Sequence, residues 1–281
     1  MTINNFQKKE IRERMTQTGE AYSIAARAVA HESAWASSPW PSFNKLIGKI
    51  NPEGLYVFAS KNGVGKSTVA IAMALHLVKR GGSAYYANME MAESELRNRF
   101  TMVGAGVSHR DLDSTPLNQE TSDKIEVFKA SFKGEIIIDE AASIQTVDNV
   151  VDKARKVAAD RNLKVIIVDY IQMLNPIFGA SADREKVIAE TVRKLHLLTI
   201  ELKVPIIILS QINRSSSETS AIFTHARGAN TELVQSSQLV VVVEQSEEEI
   251  LTFNVTKNKS KRTGKVDLAV NRDLMQISEL A

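Results

Sequence analysis

The residues best placed to do chemistry form one short string, SKNGVGKS, running from Ser60 to Ser67. It fits the P-loop pattern except at its first position, where Ser60 replaces glycine. The spacing has a physical reason. Gly63 and Gly65 let backbone N–H groups curl around a β-phosphate. The start of the following helix adds partial positive charge. Lys66 reaches the β- and γ-phosphates of a nucleoside triphosphate, and Ser67 holds Mg²⁺. Asn62, Val64 and Thr68 complete the expected nucleotide cradle. The competing reading is a glycine-rich turn that only caps a helix. Context argues against it, because the string follows the apolar run LYVFA and opens an amphipathic helical pattern.

Such a site also needs a carboxylate for the metal, on a second strand. VIIVDY offers Asp169, and EIIIDE offers Asp139 with Glu140. Both end continuously apolar runs, and ligands of open α/β sheets sit at strand ends. On pattern alone the two are nearly equal, and either could be an acid leaving a strand into solvent.

These residues need a scaffold. LYVFA at Leu55, SAYYAN at Ser83, EIIID at Glu135, KVIIVDY at Lys164 and PIIILS at Pro205 read as buried parallel strands. Helical stretches alternate with them at Thr68–Lys79, Glu93–Phe100, Thr146–Asp160 and Arg184–Leu202. That alternation predicts an α/β fold, a mostly parallel sheet flanked by helices. After Gln238, QLVVVVE, ILTFNVTK and KVDLAV follow without helices between them, which predicts closing antiparallel hairpins. The first segment, from Asn4 to Ser37, reads as helix broken at Gly19, and SSPWPSF punctuates the chain at Pro39 and Pro41. The expected division is a helical linker or oligomerisation segment over 1–38 and one ATPase domain over 39–281.

Composition narrows the class. The chain has 281 residues, 43% hydrophobic and 24% charged, and a net charge of +2. That suits one globular domain and gives no overall basicity, so a nucleic-acid site must be a local patch or arise by oligomerisation. There are no cysteines. Disulfides and thiolate metal sites are excluded, and a reducing, cytoplasmic setting is expected. No apolar run of about 18 residues predicts a membrane span, and the N-terminus lacks a signal-peptide core. The five histidines show no metal-ligand spacing.

Three further strings choose a family. NMEM at Asn88, DYIQML at Asp169 and SQINR at Ser210 resemble the motor motifs of the DnaB-type replicative DNA helicases, in order and in approximate spacing. The resemblance runs from about Pro41 to the C-terminus. It implies a RecA-like core that uses ATP and Mg²⁺ and works as a ring on single-stranded DNA. A P-loop that opens on a small residue other than glycine is usual there, so Ser60 fits. The resemblance implies that Glu90 activates the attacking water, that Asp169 rather than Asp139 organises Mg²⁺, and that Gln211 senses the γ-phosphate. It also implies cations that act on a neighbour's nucleotide from a late strand end, here VTKNKSKR. Lys257 matches the family's lysine, but Lys259 stands where an arginine is expected, with Arg262 close by. A guanidinium offers planar paired donors and an ammonium does not, so Lys257 with Arg262 is the expected set; a solvated basic turn is the alternative.

The connections Asn175–Asp183 and Ser215–Asn230 correspond to loops that line the ring's channel. Arg227, Gly228 and Asn230 are the implied DNA contacts, although RGAN departs from the family's string there. The implied partners are single-stranded DNA, further copies of the chain in a homo-oligomer expected to be a hexamer, and a loader or other replication protein. Full-length members carry an N-terminal domain that contacts primase, and only the short helical segment precedes the motor here, as in a phage or mobile-element version. The expected function is an ATP-dependent helicase motor. The alternative is an ATP-switched DNA-binding or helicase-regulating module that does not unwind; a RecA-like recombinase fits DYIQML and SQINR less well. Lys66→Ala is expected to remove the grip on the phosphates and abolish ATP turnover, measured by phosphate release.

Overall fold

Runs of β-branched and aromatic residues become the strands, as their preference for a pleated surface dictates. A computed structural model describes residues 36–140, 143–144, 146–174, 184–212, 230–259 and 262–280, with isolated positions between 12 and 22. The strands are β1 (Leu55–Ser60), β2 (Ser83–Asn88), β3 (Glu135–Glu140), β4 (Leu163–Asp169), β5 (Ile206–Gln211), β6 (Leu239–Glu247), β7 (Ile250–Asn258), β8 (Gly264–Asn271) and β9 (Gln276–Glu279). They form one sheet in the order β3-β2-β4-β5-β1-β6-β7-β8-β9. The pairings from β3 to β6 are parallel. Those from β6 to β9 are antiparallel, as expected for strands with no helix between them.

The helices are α1 (Pro41–Ile47), α2 (Lys66–Val78), α3 (Glu93–Ala105), α4 (His109–Asp113), α5 (Gln119–Ser131), α6 (Val147–Asp160), α7 (Arg184–Leu202) and α8 (Asn230–Ser236). They cover the sheet on two sides. One core packs Tyr56, Phe58, Tyr86 and Leu209 of the strands with Val69 and Ile71 of α2. The other packs Val57, Tyr85, Ile166 and Ile208 with Val150 of α6 and Leu195 of α7. Adjacent residues such as Tyr85 and Tyr86 enter opposite cores because strand side chains alternate.

Several expectations need correcting. The helix after the P-loop is not a half-exposed amphipathic one. Thr68, Val69, Ala70, Ile71, Met73 and Ala74 are all buried, because α3 and β9 cover its outer side. β3 is not a buried central strand. It lies at the sheet's edge, and Ile138 alone among its residues is buried. α3 runs past Phe100 to Ala105 and ends where Gly106 turns left-handed, at φ 66°. α1, α4, α5, α8 and β9 were not expected.

α1 belongs to the core although it starts in what reads as punctuation. Trp40, Phe43, Phe58 and Phe253 stack mostly edge to face, with Trp40 and Phe253 centroids 5.1 Å apart. The Trp40 indole donates to Ile277 O at 3.0 Å, and the Ser42 backbone N–H donates to Glu279 Oε1 at 2.9 Å. These contacts tie the start of the domain to β9 at its end. Upstream, the expected helix over Asn4–Ser37 lies almost wholly outside the described residues. Arg12, Met15, Thr16, Thr18 and Tyr22 are helical. Gly19, the expected break, is left-handed at φ 69°, with its N–H on Met15 O. Among the described residues no helix is long and apolar enough to cross a membrane.

Trp40 is 1% exposed. Trp40→Ala removes the centre of this aromatic cluster and the bond to β9 together, and is expected to lower unfolding free energy by about 3–5 kcal/mol, measured by urea denaturation.

Candidate active site

Parallel strands bring their C-terminal ends to one edge, and the site forms there. Ser60 closes β1 opposite Gln211 of β5, and Asn88 closes β2 opposite Asp169 of β4. Between β1 and α2 the chain turns through Gly63 at φ 77° and Gly65 at φ 118°. These are left-handed conformations that a Cβ disfavours. Gly65 is the cap of α2, so the helix points its free N–H groups out of the turn. Lys61, Asn62 and Gly63 are exposed, whereas Ser60, Lys66, Ser67 and Thr68 are buried. The loop thus offers its backbone to solvent while its functional side chains are held from below.

Those side chains converge. The Lys66 ammonium lies 3.4 Å from Glu90 Oε2 and 5.2 Å above the centre of the Tyr170 ring. The Ser67 hydroxyl donates to Asp169 Oδ2 at 2.9 Å, and the Tyr86 hydroxyl donates to the same oxygen at 2.6 Å. Asp169 is fully buried, and its other oxygen, Oδ1, has no hydrogen-bond partner. Burial pushes the Asp169 carboxyl above the usual carboxylate range, while the bonds from Tyr86 and Ser67 and the charge of Lys66 pull it back down. A buried carboxylate oxygen with nothing to accept from, beside a serine hydroxyl, suits an oxygen-ligated divalent cation such as Mg²⁺.

Glu90 sits just past the end of β2, in a turn that Asn88 braces. The Asn88 amide donates to Met91 O at 2.6 Å and accepts from the Met91 N–H at 3.3 Å. The Met89 N–H donates to Asp169 O at 2.8 Å. The Glu90 side chain remains partly open, at 35% exposure. Gln172, on the turn after Asp169, donates to Ser210 Oγ at 2.8 Å and to Gln211 O at 3.2 Å, and accepts from the Gln211 N–H. The end of β4 and the end of β5 are therefore locked together.

Asp139 and Glu140, the rival pair, are engaged elsewhere. Asp139 faces Lys153 and the Tyr85 hydroxyl, and Glu140 accepts from the Glu93 N–H at the start of α3. Neither carboxylate lines the phosphate cavity.

That cavity, about 290 Å³, also shows residues that sequence reading missed. Besides the P-loop and Glu90 it is lined by Arg99 of α3 and by Leu251, Val270, Arg272 and Met275 from the antiparallel strands and the β8–β9 turn. No motif spacing links Arg272 to Gly63. Tyr86 lay in the strand run SAYYAN and Asn88 at the head of NMEM, yet neither string signals the bonds these side chains make.

The basic turn lies elsewhere. Lys257 pairs with Val240, which in turn pairs with Val57, well short of the P-loop end of β1. Its ammonium donates to Val234 O and Gln235 O at the C-terminal end of α8, and Lys259 donates weakly to Ser236 O at 3.4 Å. Both cations sit where a helix concentrates partial negative charge. Burial, then the charge of Lys259, lowers the Lys257 pKa. Arg262 is exposed on the turn, and its carbonyl accepts from Asn258 Nδ2. None of the three lines the chain's own phosphate cavity. Arg227 and Gly228, and the connections 175–183 and 215–229, lie outside the described residues; Asn230 is the first residue of α8.

A family model described as the DnaB-like helicase C terminal domain matches residues 37–279. The chain belongs to that family. Among sequence relatives of this DnaB-like domain, a probable plasmid replicative DNA helicase of Chlamydia psittaci is 28% identical over 161 residues, covering 56% of this chain and 34% of that one. The replicative DNA helicase DnaB of Geobacillus stearothermophilus is 28% identical over 174 residues, covering 61% and 38%. The matched stretch thus spans little more than a third of either relative. In structure, the chain is similar to a solved ATPase domain, with a TM-score of 0.77 over 88% of this chain and 91% of that one, at 18% identity. It is also similar to a DnaB-like replicative helicase solved together with its interactions with primase, with a TM-score of 0.73 over 88% and 62%, at 17% identity. The fold is the RecA-like core of DnaB-type ATPase domains, as the motif order implied.

Asn88→Ala frees the turn that carries Glu90 while leaving the P-loop intact. ATP turnover is expected to fall about tenfold or more, with ADP affinity within about twofold of the parent, measured by steady-state kinetics and calorimetry.

Proposed function

We propose that this DnaB-like chain is an ATP-dependent DNA helicase motor that translocates on single-stranded DNA as a ring-shaped homo-oligomer, a hexamer. The observation that carries this reading is that Lys66, Ser67 and Glu90 line one P-loop cavity, where Lys66 meets Glu90 and Ser67 bonds to the buried Asp169 behind it, with Gln211 at the adjoining strand end.

In this reading the P-loop N–H groups and the α2 terminus hold the β-phosphate, and Lys66 moves from Glu90 to the β- and γ-phosphate oxygens. Ser67 and Asp169 would hold Mg²⁺, which would supply positive charge against the phosphates. Glu90 takes a proton from the attacking water as its oxygen bonds to the γ-phosphorus and the bridging oxygen leaves with ADP. Leu251, Val270 and Met275 form an apolar wall suited to the nucleoside. Gln211 contacts the γ-phosphate, and the Gln172 clamp carries its displacement to the turn that leads into 175–183. DNA is held through its backbone by Arg227, Gly228 and Asn230.

The site lacks a cation from its own basic turn, because Lys257, Lys259 and Arg262 lie away from it. That arrangement favours action in trans, on a neighbouring copy's nucleotide. Lys257 and Lys259 already cap α8, which leaves Arg262 as the principal finger with Lys257 in support. The cytoplasm and a loader or other replication protein complete the proposed setting.

Glu90→Gln is expected to keep nucleotide binding and cut hydrolysis at least about a hundredfold. Arg262→Ala is expected to cut it about a thousandfold with nucleotide affinity little changed. Mixing the two variants should restore part of the activity, since one interface then joins an intact base to an intact finger. Small effects with no rescue would mean a solvated basic turn instead. Strand displacement with ATP tests the motor itself. Intact DNA-stimulated hydrolysis with no displacement would favour the ATP-switched regulatory module.

A further inference from the structure

The Tyr86 hydroxyl is the least expected donor at the site. Tyr86 lies inside β2, paired with Ile167 of β4, and is fully buried in a cluster of apolar residues. Any apolar β-former would fill that place, whereas a phenol must find a partner for its O–H or lose free energy on burial. Its partner is Asp169 Oδ2, at 2.6 Å. The ring cannot easily swing away, because it packs edge to face on Phe100 with centroids 5.8 Å apart and planes at 83°.

The division of labour within the carboxylate is what matters. Oδ2 accepts two bonds, from Ser67 on α2 and from Tyr86 on β2. Oδ1 accepts none and is shut off from solvent. A carboxylate held at one oxygen by a single donor can still turn about its Cβ–Cγ bond. Two donors, on elements that are themselves packed into one core, fix that turn and so fix where Oδ1 points. Because Tyr86 is fully buried, bulk solvent does not reach its hydroxyl to take over the second bond.

We propose that Tyr86 is a positioning residue for the metal site: its hydroxyl pins Asp169 Oδ2, so that the carboxylate keeps one orientation beside Ser67, where a divalent cation or a water bound to it would sit. This rests on the reading that Ser67 and Asp169 hold Mg²⁺ with the nucleotide. Outer-sphere hydrogen bonds of this kind contribute about tenfold to a hundredfold to metal affinity.

The test is Tyr86→Phe, which removes one oxygen and keeps the ring and its contact with Phe100. Tyr85→Phe is the matched control. It removes a phenol oxygen from the neighbouring residue of the same strand, where the partner is Asp139 at 3.3 Å, away from the site. Mn²⁺ binding to the ADP complex is read by electron paramagnetic resonance, and ADP binding without metal is read by calorimetry. For Tyr86→Phe the Mn²⁺ dissociation constant is expected to rise about tenfold or more, with metal-free ADP binding within about twofold of the parent. Hydrolysis should fall at low Mg²⁺ and recover in part as Mg²⁺ is raised. Tyr85→Phe should match the parent in each measurement. Unchanged Mn²⁺ binding in Tyr86→Phe overturns the proposal, and so does an equal loss of metal-free ADP binding, which would mark a general distortion of the core. A parent chain whose ADP complex binds no Mn²⁺ would instead overturn the metal-site reading beneath it.

Discussion

Parallel pairing is the constraint on which the rest of this molecule depends. When strands run the same way, their C-terminal ends finish along one edge, and each chain must leave the sheet there. In this chain that edge gathers Ser60, Asn88, Asp169 and Gln211 from four strands that are far apart in sequence. Register sets the fine placement. Asn88 opposite Asp169 brings the Glu90 turn beside the buried carboxylate, and Ser60 opposite Gln211 sets the start of the P-loop beside the end of β5. A slip of one residue in either pairing would turn these side chains to the other face of the sheet.

The same geometry explains why the site is both rigid and charged. Lys66 and Asp169 are buried charged groups, which are costly unless paired. The structure offsets that cost with neighbours: Glu90 and the Tyr170 ring for Lys66, and two hydroxyls for Asp169. Asp169 Oδ1 and the partly open Glu90 are the groups with bonding capacity to spare, and both belong to the proposed chemistry. Restraint on the polar atoms around them makes these two directional.

The antiparallel extension does different work. β7, β8 and the β8–β9 turn wall one side of the phosphate cavity with Leu251, Val270, Arg272 and Met275. At their opposite end they present the Lys257–Arg262 turn, with two lysines bound to the end of α8. One sheet extension therefore touches its own nucleotide cavity with one end and faces away from it with the other. The α8 helix follows residues 213–229 directly in the chain and holds the lysines of the basic turn at its other end.

Local spacing was enough to read the P-loop, the parallel strands and the hairpins after Gln238, because each is written in contiguous residues with a definite period or a definite need for glycine. The order of NMEM, DYIQML and SQINR was enough to name the family. What the sequence left open were questions of distance across the chain. Asp139 and Asp169 close runs that look alike, and only the sheet order, which puts β3 at the edge and β4 beside β5, brings Asp169 to Ser67. Trp40 reads as punctuation between prolines until Phe253 and Ile277 close over it. The helix α2 looks amphipathic until α3 and β9 cover its outer side. Tyr86, Arg99 and Arg272 carry no spacing signal at all. A hydrogen bond or a cavity wall between residues remote in sequence depends on how elements pack, and packing is a property of the folded chain rather than of any window along it.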